Sequence, residues 1–305
     1  MLKTLTATAA GLALAATLGA TAARAEMPEE LNFGIISTES SSALQASFGP
    51  FLEDMEKSLG VKVNPFFASD YAGVIEGMRF GKVDVAWFGN KSAIEAVDRA
   101  GGEVFAQTIK DDGSKGYYSL LIVNKDSKIN SLDDVLKCDK TLTFGNGDPN
   151  STSGFAIPGY YVWALNDKTP EDCFARVVNS NHEGNAMAEA AANIKEIWRS
   201  PMIPSDPMVW RKDLDEEAKQ KIYYFFMQYG RFGDEEKVKR ERAVLAKTSD
   251  GWGPFLASSN AQLLDVRQIE AFKAKLKAEQ AGDAAAVKAA EEELAKLQGL
   301  SLIHI

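Results

Sequence analysis

Strand-like and helix-like stretches take turns along this chain from Leu31 onward, and that alternation restricts the fold more than any other feature. LNFGII (31–36) reads as a buried strand, and FGPFLEDMEKSL (48–59) as an amphipathic helix with Phe48, Phe51, Leu52, Met55 and Leu59 on one face. VKVNPFF (61–67) follows as a strand, 73–80 as a helix, VDVAWF (83–88) as a strand, 91–100 as a helix and EVFAQTI (103–109) as a strand. After GSKGYYSLLIVNK (113–125) a second series begins, with a helix at SLDDVL (131–136) and a strand at TLTFGN (141–146). It continues with a helix over FAIPGYYVWALN (155–166), a strand at RVVNSN (176–181) and a helix after His182. A β-α-β-α order implies mainly parallel sheets with helices on both faces. Ligands of such sheets sit beyond the carboxyl ends of strands, where loops enter helix N-termini.

From about Asp213 the pattern turns helical, first over DLDEEAKQKIYYFFMQY (213–229). The tail from 266 is rich in Ala, Lys and Glu, with Leu276, Val287, Leu294 and Leu297 as apolar positions and a break at Ala281-Gly282-Asp283. It reads as a peripheral helix or helical hairpin, with a homodimer through these helices as the alternative.

The first 25 residues set the address. Lys3, an apolar run from about Ala9 to Leu18 and the small-x-small exit Ala23-Arg24-Ala25 form a secretory signal peptide cleaved before Glu26, and the expected location is periplasmic. The 305 residues have room for two domains, and a net charge of −9 argues against nucleic acid or an anionic membrane surface as partner. Cys138 and Cys173, the only cysteines, each stand just ahead of a strand-like run. An even count in an oxidising compartment favours a disulfide over two buried thiols.

The stretch most suggestive of chemistry is GDPNSTSG (147–154), between the strand at 141–146 and the helix at 155–166. The first N–H groups of a helix lack intrahelical acceptors and carry a partial charge of roughly +0.5. Ser151, Thr152 and Ser153 would add hydroxyl donors to them, which suits an anion. The same residues would also serve as a plain helix cap.

Several runs then resemble one family: LNFGIISTES (31–40), DYAG (70–73), GMRFGKVDVAWFGN (77–90), GYYS (116–119), FGNGDPNSTSGF (144–155), PGYYV (158–162), NHE (181–183) and IPSDPMVWRK (203–212). They are similar, in the same order, to the periplasmic phosphonate-binding proteins of ABC transporters. The resemblance implies a two-lobed α/β binding protein with a mainly parallel sheet in each lobe, a ligand cleft between them and a helical C-terminal tail. Lobe 1 would comprise 26–117 plus 207–265, lobe 2 would be a shortened 118–206, and the tail 266–305. It also implies that Ser151, Thr152, Ser153, Tyr71, Tyr117 and His182 hold a phosphonate group and that Asp206 faces the amino end of a 2-aminoethylphosphonate-like ligand. The partner would be the membrane permease of the importer, with no cofactor and no metal.

One departure stands out. NHEGNAMAEAAA (181–192) runs straight into NIKEIWRSP (193–201), where the family pattern has a further strand and helix. The lost block would have carried a second carboxylate for the amine, so selectivity for amino-bearing ligands is expected to weaken. Glu183 and Glu189 lie near the break but match no family position. Binding of phosphite, phosphate or another small oxyanion is the closest alternative, alongside a binding-impaired paralogue. A phosphoryl hydrolase using Ser151 or Thr152 is disfavoured: the mature chain has only His182 and His304, and no glycine-rich phosphate loop with Lys.

Overall fold

The computed structural model describes residues 27–179, 191–249 and 251–303. The signal-peptide segment, His182 with the helix expected after it, and Glu183 and Glu189 lie outside these residues. The first series comprises β1 (Glu30–Ile35), α1 (Ser41–Leu59), β2 (Lys62–Phe67), α2 (Tyr71–Arg79), β3 (Val85–Trp87), α3 (Asn90–Arg99) and β4 (Gly102–Gln107). β5 (Gly116–Tyr117) leads into β6 (Leu120–Asn124), α4 (Leu132–Val135) and β7 (Thr143–Asn146). Two wide π-type turns (Thr152–Ala156 and Gly159–Trp163), α5 (Pro170–Cys173), β8 (Arg176–Asn179) and β9 (Ile194–Arg199) follow. The chain returns through β10 (Ile203–Pro204) to β11 (Pro207–Arg211), α6 (Glu216–Gln228), α7 (Glu235–Leu245) and β12 (Leu256–Ala257). It ends in α8 (Leu264–Ala281) and α9 (Ala284–Ile303).

Six strands form the larger sheet in the order β12-β4-β11-β3-β1-β2. β1 runs parallel to β2 and β3, whereas β11 is antiparallel to β3 and β4, and β12 antiparallel to β4. Four of the six strands, β1 to β4, thus point the same way, and β11 and β12 run against them. β11 enters from the second series instead of through a crossover helix, so nothing requires it to run with its neighbours. Its core is aromatic: Phe51 of α1 packs against Phe33, Phe225, Phe226, Tyr229 and Phe255. α1 starts at Ser41, earlier than the expected 48, because the Ser40 hydroxyl caps the Ala43 N–H at 3.3 Å, and Leu44 opens its buried face.

The second series builds a smaller core from Leu121, Val135, Val162, Trp163, Cys173 and Phe174. Its strands form separate pairs, β6 antiparallel to β9 and β7 parallel to β8. Cys138 and Cys173 are joined by a disulfide, which ties the entrance of β7 to that of β8. The stretch at 155–166 is not a regular α-helix. Pro158 has no N–H to give, and the Ala156 N–H reaches five residues back to the Ser151 carbonyl.

Two connections join the cores. β5 pairs antiparallel with β10, and a Cβ on Gly116 would come within 2.5 Å of the Ile203 carbonyl oxygen, so this crossing needs glycine. α8 lies across both units: Arg267 pairs with Asp98 of α3 at 2.6 Å, while Gln280 donates to Asp167 at 2.7 Å and Phe272 stacks on Tyr160. α8 ends at Gly282, with φ of 68°, and α9 packs back along it, giving the expected hairpin. Among the described residues no helix is long and apolar enough to cross a membrane.

Candidate functional site

The motif at 147–154 does fall between the two cores. It forms one wall of a cavity of about 580 Å³ that is lined from the larger unit by Ile36, Thr38, Glu39, Tyr71, Trp87 and Gly89, among others. Ser151, Thr152, Ser153, Tyr71, Tyr117 and Asp206 all line this one cavity. Six of the seven expected ligand contacts are thus brought together, and the seventh, His182, lies outside the described residues.

Each of the three residues has a distinct role. Ser151 caps its own turn, accepting the Gly154 N–H at 3.0 Å. Thr152 Oγ1 accepts the Lys91 N–H at 2.9 Å, in the first turn of α3. The N-cap of α3 is Gly89, which has no side chain to offer, so the cap comes from the opposite unit. The Ser153 carbonyl accepts from the Ser119 hydroxyl at 2.6 Å, which holds the turn to the end of the connecting strand. Hydroxyls that accept an N–H still carry a proton to donate. The opening turn also leaves early N–H groups without intrahelical acceptors, so the wall is rich in donors without a Lys or Arg in the turn.

Asp148 makes a second bond across the cleft, accepting the Tyr71 N–H at 3.2 Å where α2 begins. Two helix N-termini of the larger unit are therefore capped by side chains of the smaller one. Each such cap contributes about 1 kcal/mol. Asp148, Ser151, Thr152 and Tyr71 are all almost fully buried, so these bonds are shielded from water.

Beside these hydroxyls the cavity carries a carboxylate. Asp206 follows the returning strand β10, and its Oδ2 accepts the Trp87 indole N–H at 3.0 Å. Tyr117, on β5, has its phenol in hydrogen-bonding reach of Thr152 and Asp206. Burial pushes that phenol well above its usual range, and the Asp206 carboxylate beside it pushes in the same direction. Tyr117 therefore stays a neutral O–H donor throughout the physiological range. Glu39 and Lys110 also line the cavity. Gly89 keeps the floor low: a Cβ there would lie 3.0 Å from Thr152 Oγ1 and 3.9 Å from Asp206 Oδ1.

Sequence reasoning did not single out Asp148, Glu39, Trp87 or Gly89. The strand–helix junctions at 36–41 and 87–90 follow β1 and β3, and the rule that ligands gather at strand carboxyl ends would have pointed to both. Among the described residues no group of His, Cys, Asp and Glu could hold a metal ion.

Comparison with known proteins places this geometry. The model of the family described as the periplasmic substrate-binding protein of phosphonate ABC transporters matches residues 33–192 and again 185–263. The two matches meet where the sequence breaks the family pattern. The phosphonates-binding periplasmic protein of Escherichia coli is 56% identical over 272 residues, covering 81% of this chain and 78% of that protein. That aligned span is longer than the part of this chain within it, so the relative holds residues that this chain lacks. A phosphate-import protein of Mycolicibacterium smegmatis is 39% identical over 235 residues, covering 66% of this chain and 72% of its own length. The crystal structure of a binding protein component of an ABC phosphonate transporter from Pseudomonas aeruginosa superposes with a TM-score of 0.84 at 48% identity, covering 92% of this chain and 99% of that one. Its relatives are binding components of transporters rather than enzymes. The chain belongs to the family of periplasmic substrate-binding proteins of phosphonate ABC transporters.

Proposed function

We propose that the cleft receives small organophosphonates, with zwitterions of the 2-aminoethylphosphonate kind preferred, and that the closed protein hands them to the membrane permease of an importer. In this reading the signal peptide is cleaved before Glu26, and closure brings 118–206 against 26–117 and 207–265. Ser151, Thr152, Ser153, Tyr71 and Tyr117 hold the phosphonate oxygens, His182 joins them, and Asp206 meets the ammonium.

The observation that carries the proposal is that the hydroxyl-bearing residues Ser151, Thr152, Ser153 and Tyr117 and the carboxylate of Asp206 line one cavity. About five charge-assisted bonds at roughly 1.5–3 kcal/mol each give on the order of 10 kcal/mol before entropy is subtracted. That is compatible with micromolar or tighter binding. Glu39 supplies a second carboxylate in the cavity, so the loss of the family's block weakens amine selectivity only in part.

Simple oxyanion binding is the second reading, and the phosphate-import relative favours it. A homodimer through the C-terminal helices is disfavoured, because Leu294 and Leu297 are already buried in the α8–α9 hairpin. Calorimetry with 2-aminoethylphosphonate, methylphosphonate, phosphite and phosphate separates the ligand readings. Tightest binding of 2-aminoethylphosphonate supports the proposal, and tightest binding of phosphate or phosphite rejects it.

A further inference from the structure

Asp148 stands apart from the rest of the motif at 147–154. Ser151, Thr152 and Ser153 line the ligand cavity, whereas Asp148 does not, although it is almost fully buried. The loop that holds it is a closed frame: the Gly147 N–H donates to the Gly154 carbonyl at 3.0 Å, and the Ser151 N–H to the Asp148 carbonyl at 2.8 Å. Asp148 Oδ1 accepts the Asn150 N–H at 2.7 Å within that frame, and Oδ2 accepts the Tyr71 N–H at 3.2 Å from the other unit. One carboxylate thus ties the shape of the anion wall to the unit opposite.

The far side of this bond is the start of a helix. Tyr71 opens α2, so its N–H has no acceptor inside the helix. The N-cap, Asp70, directs its side chain to the Gly73 N–H at 2.8 Å instead. A helix start carries a partial positive charge, and Asp148 meets this one as a bound anion would. The ligand is left with the turn at 151–153 and with the Tyr71 side of the cavity. Asp148 and Tyr71 belong to different units, so their bond exists only while the units are together.

We infer that Asp148 is a positioning residue for closure: it draws the start of α2 onto the anion wall and stabilises the closed cleft without touching the ligand. The inference rests on the reading that the two units close on a small anion, and it holds whichever anion binds best. A charge-assisted hydrogen bond made only on closing favours the closed form by roughly 10- to 100-fold. Because Asp148 does not line the cavity, that effect is shared by amino-bearing and amine-free ligands.

Asp148→Asn isolates the bridge. Asparagine keeps an oxygen for the turn bond to the Asn150 N–H, since both residue types bond the backbone two residues on. Its amide nitrogen then faces the Tyr71 N–H, donor against donor. The full mature protein and this variant are compared by calorimetry with 2-aminoethylphosphonate, methylphosphonate, phosphite and phosphate. Amide hydrogen exchange is read by NMR on both, ligand-free and saturated with the tightest of the four. Removing a negative charge near the ligand returns part of the lost affinity, so the two phosphonates should weaken alike, by about 3- to 30-fold. Saturation should slow exchange of the Tyr71 N–H by about tenfold or more in the parent protein and by less than about twofold in the variant. The Lys91 N–H, held by Thr152, should be slowed in both.

Unchanged or tighter binding by the variant, or equal slowing of the Tyr71 N–H in both proteins, would overturn the inference. Loss of Lys91 protection together with that of Tyr71 would overturn it too, because Asp148 would then act only by shaping its own turn. Failure of all four anions to bind the parent protein would reject the functional reading instead. The ligand-free comparison then decides the bridge: it stands if the Tyr71 N–H exchanges about threefold or more slowly in the parent protein, and it falls if the two rates agree.

Discussion

Replacing Asp206 by Asn should separate the two ends of the ligand. Thr152 Oγ1 and Asp206 Oδ1 lie 3.0 and 3.9 Å from one point beside Gly89, so they stand no more than about 7 Å apart. At an effective dielectric constant of about 20, a unit negative charge held at Thr152 is disfavoured by roughly 2 kcal/mol through Asp206. An ammonium beside Asp206 turns that penalty into a gain of about 2–5 kcal/mol. Asp206→Asn keeps an oxygen to accept the Trp87 indole N–H and removes only the charge. Methylphosphonate should then bind equally well or up to about 30-fold more tightly, since repulsion is relieved. The preference for 2-aminoethylphosphonate over methylphosphonate should fall by at least about 30-fold. Calorimetry on both proteins with both ligands reads the ratio directly. A preference unchanged within threefold, or methylphosphonate weakened as much as the amine, would refute the placement of Asp206 at the ammonium end.

Thr152→Ala removes a ligand donor and the cap on the Lys91 N–H together, so every phosphonate should weaken by a similar factor, about 10- to 100-fold by calorimetry. Gly89→Ala places a methyl 3.0 Å from Thr152 Oγ1, so it should weaken binding and, by straining the cap on the Lys91 N–H, lower stability by about 1–3 kcal/mol in urea unfolding. Replacing both Cys138 and Cys173 by Ser opens a loop of sequence separation 35 and should cost about 4 kcal/mol of the smaller unit's stability in urea unfolding. The phenols of Tyr117 and Tyr229 are both raised chiefly by burial, and the carboxylates of Asp206 and Asp54 add to it. Because the folded value exceeds the unfolded one, their contribution is complete below about pH 10 and is lost as pH rises above it. A spectrophotometric titration should show these two of the eight tyrosines ionising only as the protein unfolds.

Much of the larger unit was legible because its elements are amphipathic and local. The strands at 31–36, 61–67, 83–88 and 103–109 lie close to where the structure places them, and the apolar face of α1 points into the aromatic core. Residues 41–47 were missed because their serines read as a loop, although Ser40 is the cap that starts the helix and Leu44, four residues before Phe48, extends its apolar face. The turns at 152–163 defeat periodicity for another reason: their five-residue hydrogen-bond spacing does not follow the face of a 3.6-residue helix. The reversed course of β11 was hidden, since it arrives from a distant part of the chain. Within the site, hydroxyls in a row announced themselves. Asp148, Glu39 and Gly89 did not, because their place depends on which junctions the fold brings face to face.

The most direct test of the central claim is a crystal structure of the mature protein soaked with 2-aminoethylphosphonate. The account predicts phosphonate oxygens within hydrogen-bond distance of Ser151, Thr152 and Ser153, with the ammonium against Asp206. A phosphonate seated away from these three residues, or a ligand lying in the reverse sense with its amine at Thr152, would contradict it.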